Sequence, residues 1–443
     1  MMNRKTGMSK RLMKVLSLLV SGMLIIGMMG GCSNKTANTD QDFVAIINAK
    51  VFDGESVIDT TTVVIKDGII HSVGGEIPEG AAIVDAAGKT LMPGLIDSHT
   101  HTDMNGLKDA LKFGVTTELE MNGTWSANER KKITNSNNMA DLRSPGMGIT
   151  SKGGHPSEYQ SSSNNLLIRY FFKFPSASTP KEAMKLVDQR IKEGADYIKI
   201  LVENGDNIGF PGLPVLDDAT LQAAIDEAHR FDKLTIAHVT TAAETERVVA
   251  AGIDGLGHLF FDDQPSDGLV SDIVSSDVFV IPTLVTLSTA FGTDAAWLAK
   301  DERVSSKLSK EWLDSLSTSA NVYPEGNLEE AYTTVMTLHN AGVDILAGSD
   351  VSEPVPGLGG LAHGASLHHE LQLLVEAGFT PTEALRAATS VPAHRFSLDD
   401  RGQIIPGARA DLLLIDGDPL IDISHTLNID TIWRGGIKLE DMQ

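Results

Sequence analysis

Leu95-Ile96-Asp97-Ser98-His99-Thr100-His101 is the stretch from which the rest of the chain is read. Side chains at i and i+2 of a strand point to one face, so both imidazoles enter the same space. Imidazole is a common metal ligand near neutral pH. Alone, such a pair is more often two polar strand residues, and its surroundings decide between the readings.

Outward from this strand, β-type runs alternate with helical periods. The runs fall at 95–101, 116–121, 146–150, 196–201, 234–239, 255–260, 278–284 and 344–350. Between them lie residues at helical spacing, such as Leu221, Ala224, Ile225 and Ala228, or Leu367, Leu371 and Leu374. Thr179-Pro180-Lys181-Glu182 and Thr380-Pro381-Thr382-Glu383 each combine a capping box with proline in the first turn. Eight strand–helix units predict a parallel sheet closed into a (β/α)8 barrel over residues 93–395. The rival, an open doubly wound sheet, carries a Gly-rich phosphate loop, and neither Gly74-Gly75 nor Gly153-Gly154 has the flanking pattern. Residues 122–145 and 285–327 are longer than a barrel unit needs and read as insertions or lids.

Both ends of the chain look alike. Residues 43–92 and 396–443 hold short apolar runs broken by turn signals such as Asp67-Gly68. They predict one small β-sandwich domain built from both termini.

Ahead of it, basic residues up to Lys14 precede an apolar run from Val15 to Met29 and then Gly30-Gly31-Cys32. This resembles a bacterial lipoprotein signal over residues 1–31, with Cys32 the lipidation site and 32–42 a polar tether. The run is short for a spanning helix of about 20 residues. The expectation is a secreted lipoprotein held on the outer face of a bacterial membrane by acyl chains on Cys32. Cys32 is the only cysteine, so its lipidation excludes disulfides and thiol chemistry. Removing the five cations of residues 1–31 lowers the net charge from −23 to −28. Such a field repels nucleic acid and anionic lipid headgroups, leaving a small-molecule substrate as the expected partner. Oligomeric state is open.

Four polar residues interrupt the later apolar strands: Lys199, His238, His258 and Asp350. A buried lysine or aspartate costs several kcal/mol unless paired or bound to a metal. Singly, each histidine is as easily a core histidine, and Lys199 more often a snorkelling surface lysine. Together with His99 and His101, they make a metal site.

The order HxH, Lys, His, His, Asp on strands one, four, five, six and eight resembles the amidohydrolase superfamily. GKTLMPGLIDSHTH (88–101) is similar to its first-strand signature, and RGQIIPGARADLLLIDGDPL (401–420) to its returning tail. GADYIKIL (194–201) and GASLHHELQLLVEAGFTPTEALRAAT (364–389) resemble the imidazolonepropionase-like group, which contains Xaa-Pro dipeptidases and a carboxylated lysine.

The resemblance implies two divalent ions. Zinc is favoured by the imidazoles, with manganese, cobalt or iron as alternatives. His99 and His101 would hold the buried ion, His238 and His258 the more exposed one, N6-carboxylated Lys199 would bridge them, and Asp350 would touch the buried ion and move the proton. The reaction implied is amide hydrolysis, of a peptide or N-acyl amino acid, by a metal-activated hydroxide.

His155, after strand three, would face the substrate carbonyl. Tyr159 and Arg169 are candidates for a substrate carboxylate, and His363 for the mouth of the site. Asp97 reads as a supporting group, and His368 and His369 as helix-surface or core residues. Three rivals stand: a lactone, ester or carbamate hydrolase on the same site, a mononuclear imidazolonepropionase or deaminase, and a solute-binding lipoprotein. Val239-Thr240-Thr241 after His238 disfavours a deaminase, which places glutamate there.

Overall fold

The computed structural model describes residues 43–158, 174–354 and 358–442. Cys32, Tyr159 and Arg169 lie outside the described residues.

The chain opens with β1 (Val44–Phe52), β2 (Val57–Lys66), β3 (Ile69–Val73), β4 (Ala82–Asp85) and β5 (Lys89–Pro93). A run of parallel segments follows: β6 (Leu95–Thr100), β7 (Val115–Glu120), β8 (Asp141–Arg143), β9 (Thr150–Ser151), β10 (Ser176–Ala177), β11 (Ile198–Leu201), β12 (Thr235–His238), β13 (Gly255–Gly257) and β14 (Phe279–Ile281). The chain returns through β15 (Leu412–Asp416), β16 (Ile429–Arg434) and β17 (Ile437–Lys438).

The two ends form one eight-stranded sheet in the order β17-β16-β15-β5-β1-β2-β3, with β4 also on β1. The sheet curls until Ile69 bridges Arg409. It encloses a core that includes Ile46, Val63, Leu91, Leu412 and Trp433.

The middle is a parallel barrel. β6-β7-β8 and β11-β12-β13-β14 are its two ladders. Parallel bridges Ile149↔Ile200, Val280↔Ile345 and Thr100↔Val351 join them into a ring. Residues 345–351 thus serve as strand eight, held by Ser98 N–H on Ala347 O at 2.9 Å and Asp350 N–H on His99 O at 2.7 Å. Ile96, Ile236, Phe279 and Leu346 fill the lower barrel, with Leu398 packed against them.

Strand three departs from the expected 146–150. It pairs with β7 at Asp141–Arg143, then breaks, and rejoins β11 only at Ile149. Pro145 has no N–H to donate to a ladder, and Gly146 adopts φ +71°. Residues 122–145 are therefore no insertion: they hold the helix Ala127–Thr134 and the first half of strand three. Residues 285–327 do contain extra structure, four short helices from Leu284 to Leu316.

The helical periods hold. Leu221, Ala224, Ile225 and Ala228 are buried on Asp218–His229, and Leu367, Leu371 and Leu374 on Ala365–Ala377. The reciprocal capping box forms at Thr380 and Glu383. At Thr179 only the first half forms, because Glu182 accepts from Ser178 N–H instead, at 2.8 Å.

Candidate metal centre

Parallel strands present their C-terminal ends at one rim, where barrel enzymes place their chemistry. β6 brings His99 there and runs straight into His101. A register shift between Asp97 and Thr100 against β7 inserts an extra residue, which re-aims side chains at the strand end. Tyr197, just ahead of β11, and Lys199, on it, both point inward, Tyr197 into the lower core and Lys199 toward the rim. His238 ends β12, and His258 follows β13. Asp350 closes strand eight with φ +53°, a strained conformation of the kind that clusters at functional sites.

These six side chains converge. Asp350 Oδ1 lies 3.3 Å from His99 Nε2 and 3.1 Å from His101 Nε2. The His258 ring centroid is 4.6 Å from those of both His99 and His238. Ligand atoms of His99, His258 and Asp350 fall within 4.8 Å of one another.

The donors suit a cation. Both nitrogens of His99 and Nζ of Lys199 are buried without a hydrogen-bond partner, a costly state for groups that face only protein. Space is kept open for them: a Cβ on Gly257 would come 2.5 Å from Lys199 Nζ. Burial pulls the Lys199 amine down to about 7 against the charges of Asp350 and Glu120. Burial lowers His238 to about 4, and His99 and His258 well below the usual imidazole range, so all three are neutral and have a lone pair to offer a cation. Burial would raise Asp350, but His258, His101 and His238 outweigh it and hold the carboxyl at about 2.

A ring of supporting groups fixes the ligands. Thr283, itself in the left-handed region, meets His258 Nδ1 through its hydroxyl at 2.8 Å. Glu203 Oε2 sits 3.3 Å from His238 Nε2, outside hydrogen-bond alignment, and accepts from Thr240 Oγ1 at 2.6 Å. Asp97 accepts from Ser349 N–H and hydroxyl at 2.9 and 2.6 Å, pinning strand one to strand eight. Burial and Glu118 push its carboxyl up to about 7.

His155 stacks on His238 with centroids 4.5 Å apart, and its Nδ1 meets Glu158 Oε1 at 2.5 Å. His363 lines the cavity, buried, with Nδ1 3.2 Å from Glu118. His368 and His369 are buried away from the cavity; His368 bridges Thr426 and Phe113 O at 2.9 and 2.8 Å.

The sequence reading missed Glu118, Glu120, Glu158, Glu203 and Thr283. Glu120 ends β7, is buried, lines the cavity and accepts Asn122 N–H at 2.6 Å. Burial lifts its carboxyl above the usual range against the pull of His101. The signal was weak: their strand, Val115-Thr116-Thr117-Glu118-Leu119-Glu120, is mostly polar, so neither glutamate stands out as Lys199 does between isoleucines.

Comparison with known proteins fits this geometry. The model of the amidohydrolase family matches residues 90–438. The chain belongs to the amidohydrolase family. As a member, it is a hydrolase acting on carbon–nitrogen bonds of small molecules. This amidohydrolase is 24% identical to the ochratoxinase of Aspergillus niger, over 90% of its own length and 87% of the relative's. Its fold matches a Xaa-Pro dipeptidase with TM-score 0.68 at 21% identity, covering 89% of this chain and 99% of that one. A phenylurea hydrolase B matches with TM-score 0.71 at 21% identity, covering 90% and 97%.

Proposed function

We propose that this amidohydrolase binds two divalent cations and cleaves the amide bond of a peptide or N-acyl amino acid. The observation that supports it most is the convergence of six donors from five strands, with His99 and Lys199 Nζ buried and unpartnered. His99 and His101 would hold one cation, His238 and His258 the other. Lys199 would join carbon dioxide through Nζ, losing a proton, to give a carbamate anion between them. Bound cations of this kind lower the pKa of water toward neutrality and polarise a carbonyl. Asp350, held ionised, is placed to take a proton from the attacking water and pass it to the leaving nitrogen. The reading of Cys32 as an anchor on the outer face of a bacterial membrane belongs to the same proposal.

Elemental analysis paired with chelation tests the centre. Two ions per chain are expected, with amide hydrolysis lost on dialysis against a chelator and restored by zinc or manganese. One ion per chain with an unmodified Lys199 mass favours the mononuclear reading. Full activity after complete metal removal overturns both.

His155 faces the cavity beside His238, with Glu158 on its Nδ1 side. It is placed to donate from Nε2 to the oxygen that gains charge as the carbonyl is attacked. His155→Ala is expected to lower kcat about 10²-fold with KM little changed. Steady-state kinetics check this, and a loss confined to KM would mean that His155 only binds substrate.

A further inference from the structure

The helix Leu284–Ala290 follows directly on β14 and Pro282, and its start is capped in an unusual way. Thr283 occupies the cap position, where a threonine ordinarily turns its hydroxyl onto a backbone N–H of the first turn. Here it does not. Its hydroxyl meets His258 Nδ1 at 2.8 Å instead, and its backbone lies at φ +49°, costly for a β-branched residue. Buried Glu370, on the helix Ala365–Ala377, caps in its place. Its two oxygens accept Leu284 and Val285 N–H at 3.0 and 2.7 Å. At seven residues the capped helix is too short to hold itself, so Glu370 decides where it starts.

Two of the proposed metal ligands depend on that start. His258 stands at φ +107°, and the Thr283 hydroxyl on its Nδ1 leaves Nε2 to face a cation. One turn into the helix, Thr286 Oγ1 donates to Ser349 O at 2.9 Å, next to Asp350 at φ +53°. Such strained residues persist only where the structure around them over-determines their conformation. We infer that Glu370 is a positioning residue for the metal centre: by capping the helix, it frees the Thr283 hydroxyl to orient His258. This rests on the reading of His258 as a metal ligand, and Glu370 itself does not line the cavity.

The test is a double-variant cycle on the full chain, read by zinc affinity in competition with a chelator. Glu370→Gln sets an amide NH2 against one of the two helix N–H groups and is expected to weaken zinc binding about tenfold. Thr283→Val keeps the shape, loses the hydroxyl and is expected to do the same. Both act on His258 along one path. The double variant is therefore expected to bind zinc within about twofold of the weaker single. The absorption bands of the cobalt-loaded protein are expected to shift alike in all three variants. Thr283→Ser keeps the hydroxyl and is expected to bind zinc like the parent. Should Glu370→Gln not fold, Glu370→Asp, one methylene shorter, takes its place in the cycle. Zinc losses that multiply in the double variant overturn the inference and leave the metal centre standing. So does a Glu370 variant that is less stable to urea yet keeps the parent's zinc affinity and cobalt spectrum. A parent chain that binds no zinc and no cobalt overturns both readings.

Discussion

Replacing Lys199 by alanine is expected to lower kcat/KM more than about 10³-fold, about 4 kcal/mol of transition-state stabilisation, and to cut metal content in the same preparation. Lys199 is buried, its amine has no hydrogen-bond partner, and a glycine at 257 keeps its end clear. As an ammonium it would repel any cation held by the four imidazoles. As the proposed carbamate it would be an anion with two oxygens to offer, so its loss would remove charge and donors together. Alanine also leaves a hollow bounded by His99 and Gly257, and added acetate can bring a carboxylate back into it. Partial recovery of rate and metal with acetate separates lost chemistry from lost folding. A variant that keeps two metals and the parent rate excludes Lys199 from the centre.

Much of the centre is legible in the sequence for a physical reason. Lys199, His238, His258 and Asp350 were found because each breaks an apolar strand, and burying such groups demands a partner. That is a property of the sequence alone. Glu120 gives no such signal, because Thr116, Thr117 and Glu118 already make its strand polar. Glu203 and Thr283 lie in loops just past their strands, where polarity is ordinary, and only the closed ring brings them beside His238 and His258. Strand three was misplaced by several residues because Pro145 and Gly146 split it into two pairings, and only the neighbouring strands reveal which half meets which. Residues 285–327 read as surplus to a barrel unit, but their arrangement was unreadable for a different reason. Their helices, of four to seven residues, are too short to develop a period, and what holds them is tertiary: Thr286 on Ser349 and Ser315 on Leu361.

The junction between curled sheet and barrel carries the second large effect. Asp141, on β8, is 3% exposed, and its Oδ2 takes Arg401 at 2.6 Å, Arg143 at 3.2 Å and Arg409 at 3.3 Å. Arg401, 5% exposed, also donates to Thr117 Oγ1 on β7 at 3.0 Å. Burial would raise the Asp141 carboxyl, but Arg401 first and Arg143 next hold it below the usual range. Arg401→Met removes the most buried of the three cations and leaves Asp141 only the longer contacts to Arg143 and Arg409, at an expected cost of up to about 3 kcal/mol. Asp141→Leu in the same chain is expected to return much of that loss, because Arg143 and Arg409 are about a quarter exposed and can turn to water while leucine fills the space. Urea unfolding of the parent, both single variants and the double variant measures the coupling directly. The sign of the pH dependence follows from the lowered pKa. A carboxylate held below its unfolded value contributes stability above that value and loses it as pH falls through the folded one. Arg401→Met should therefore flatten the acid limb of the stability profile below about pH 4, the ordinary aspartate range. If the double variant is as unstable as the sum of the singles and the acid limb is unchanged, the ion pair is not what joins β8 to the returning chain.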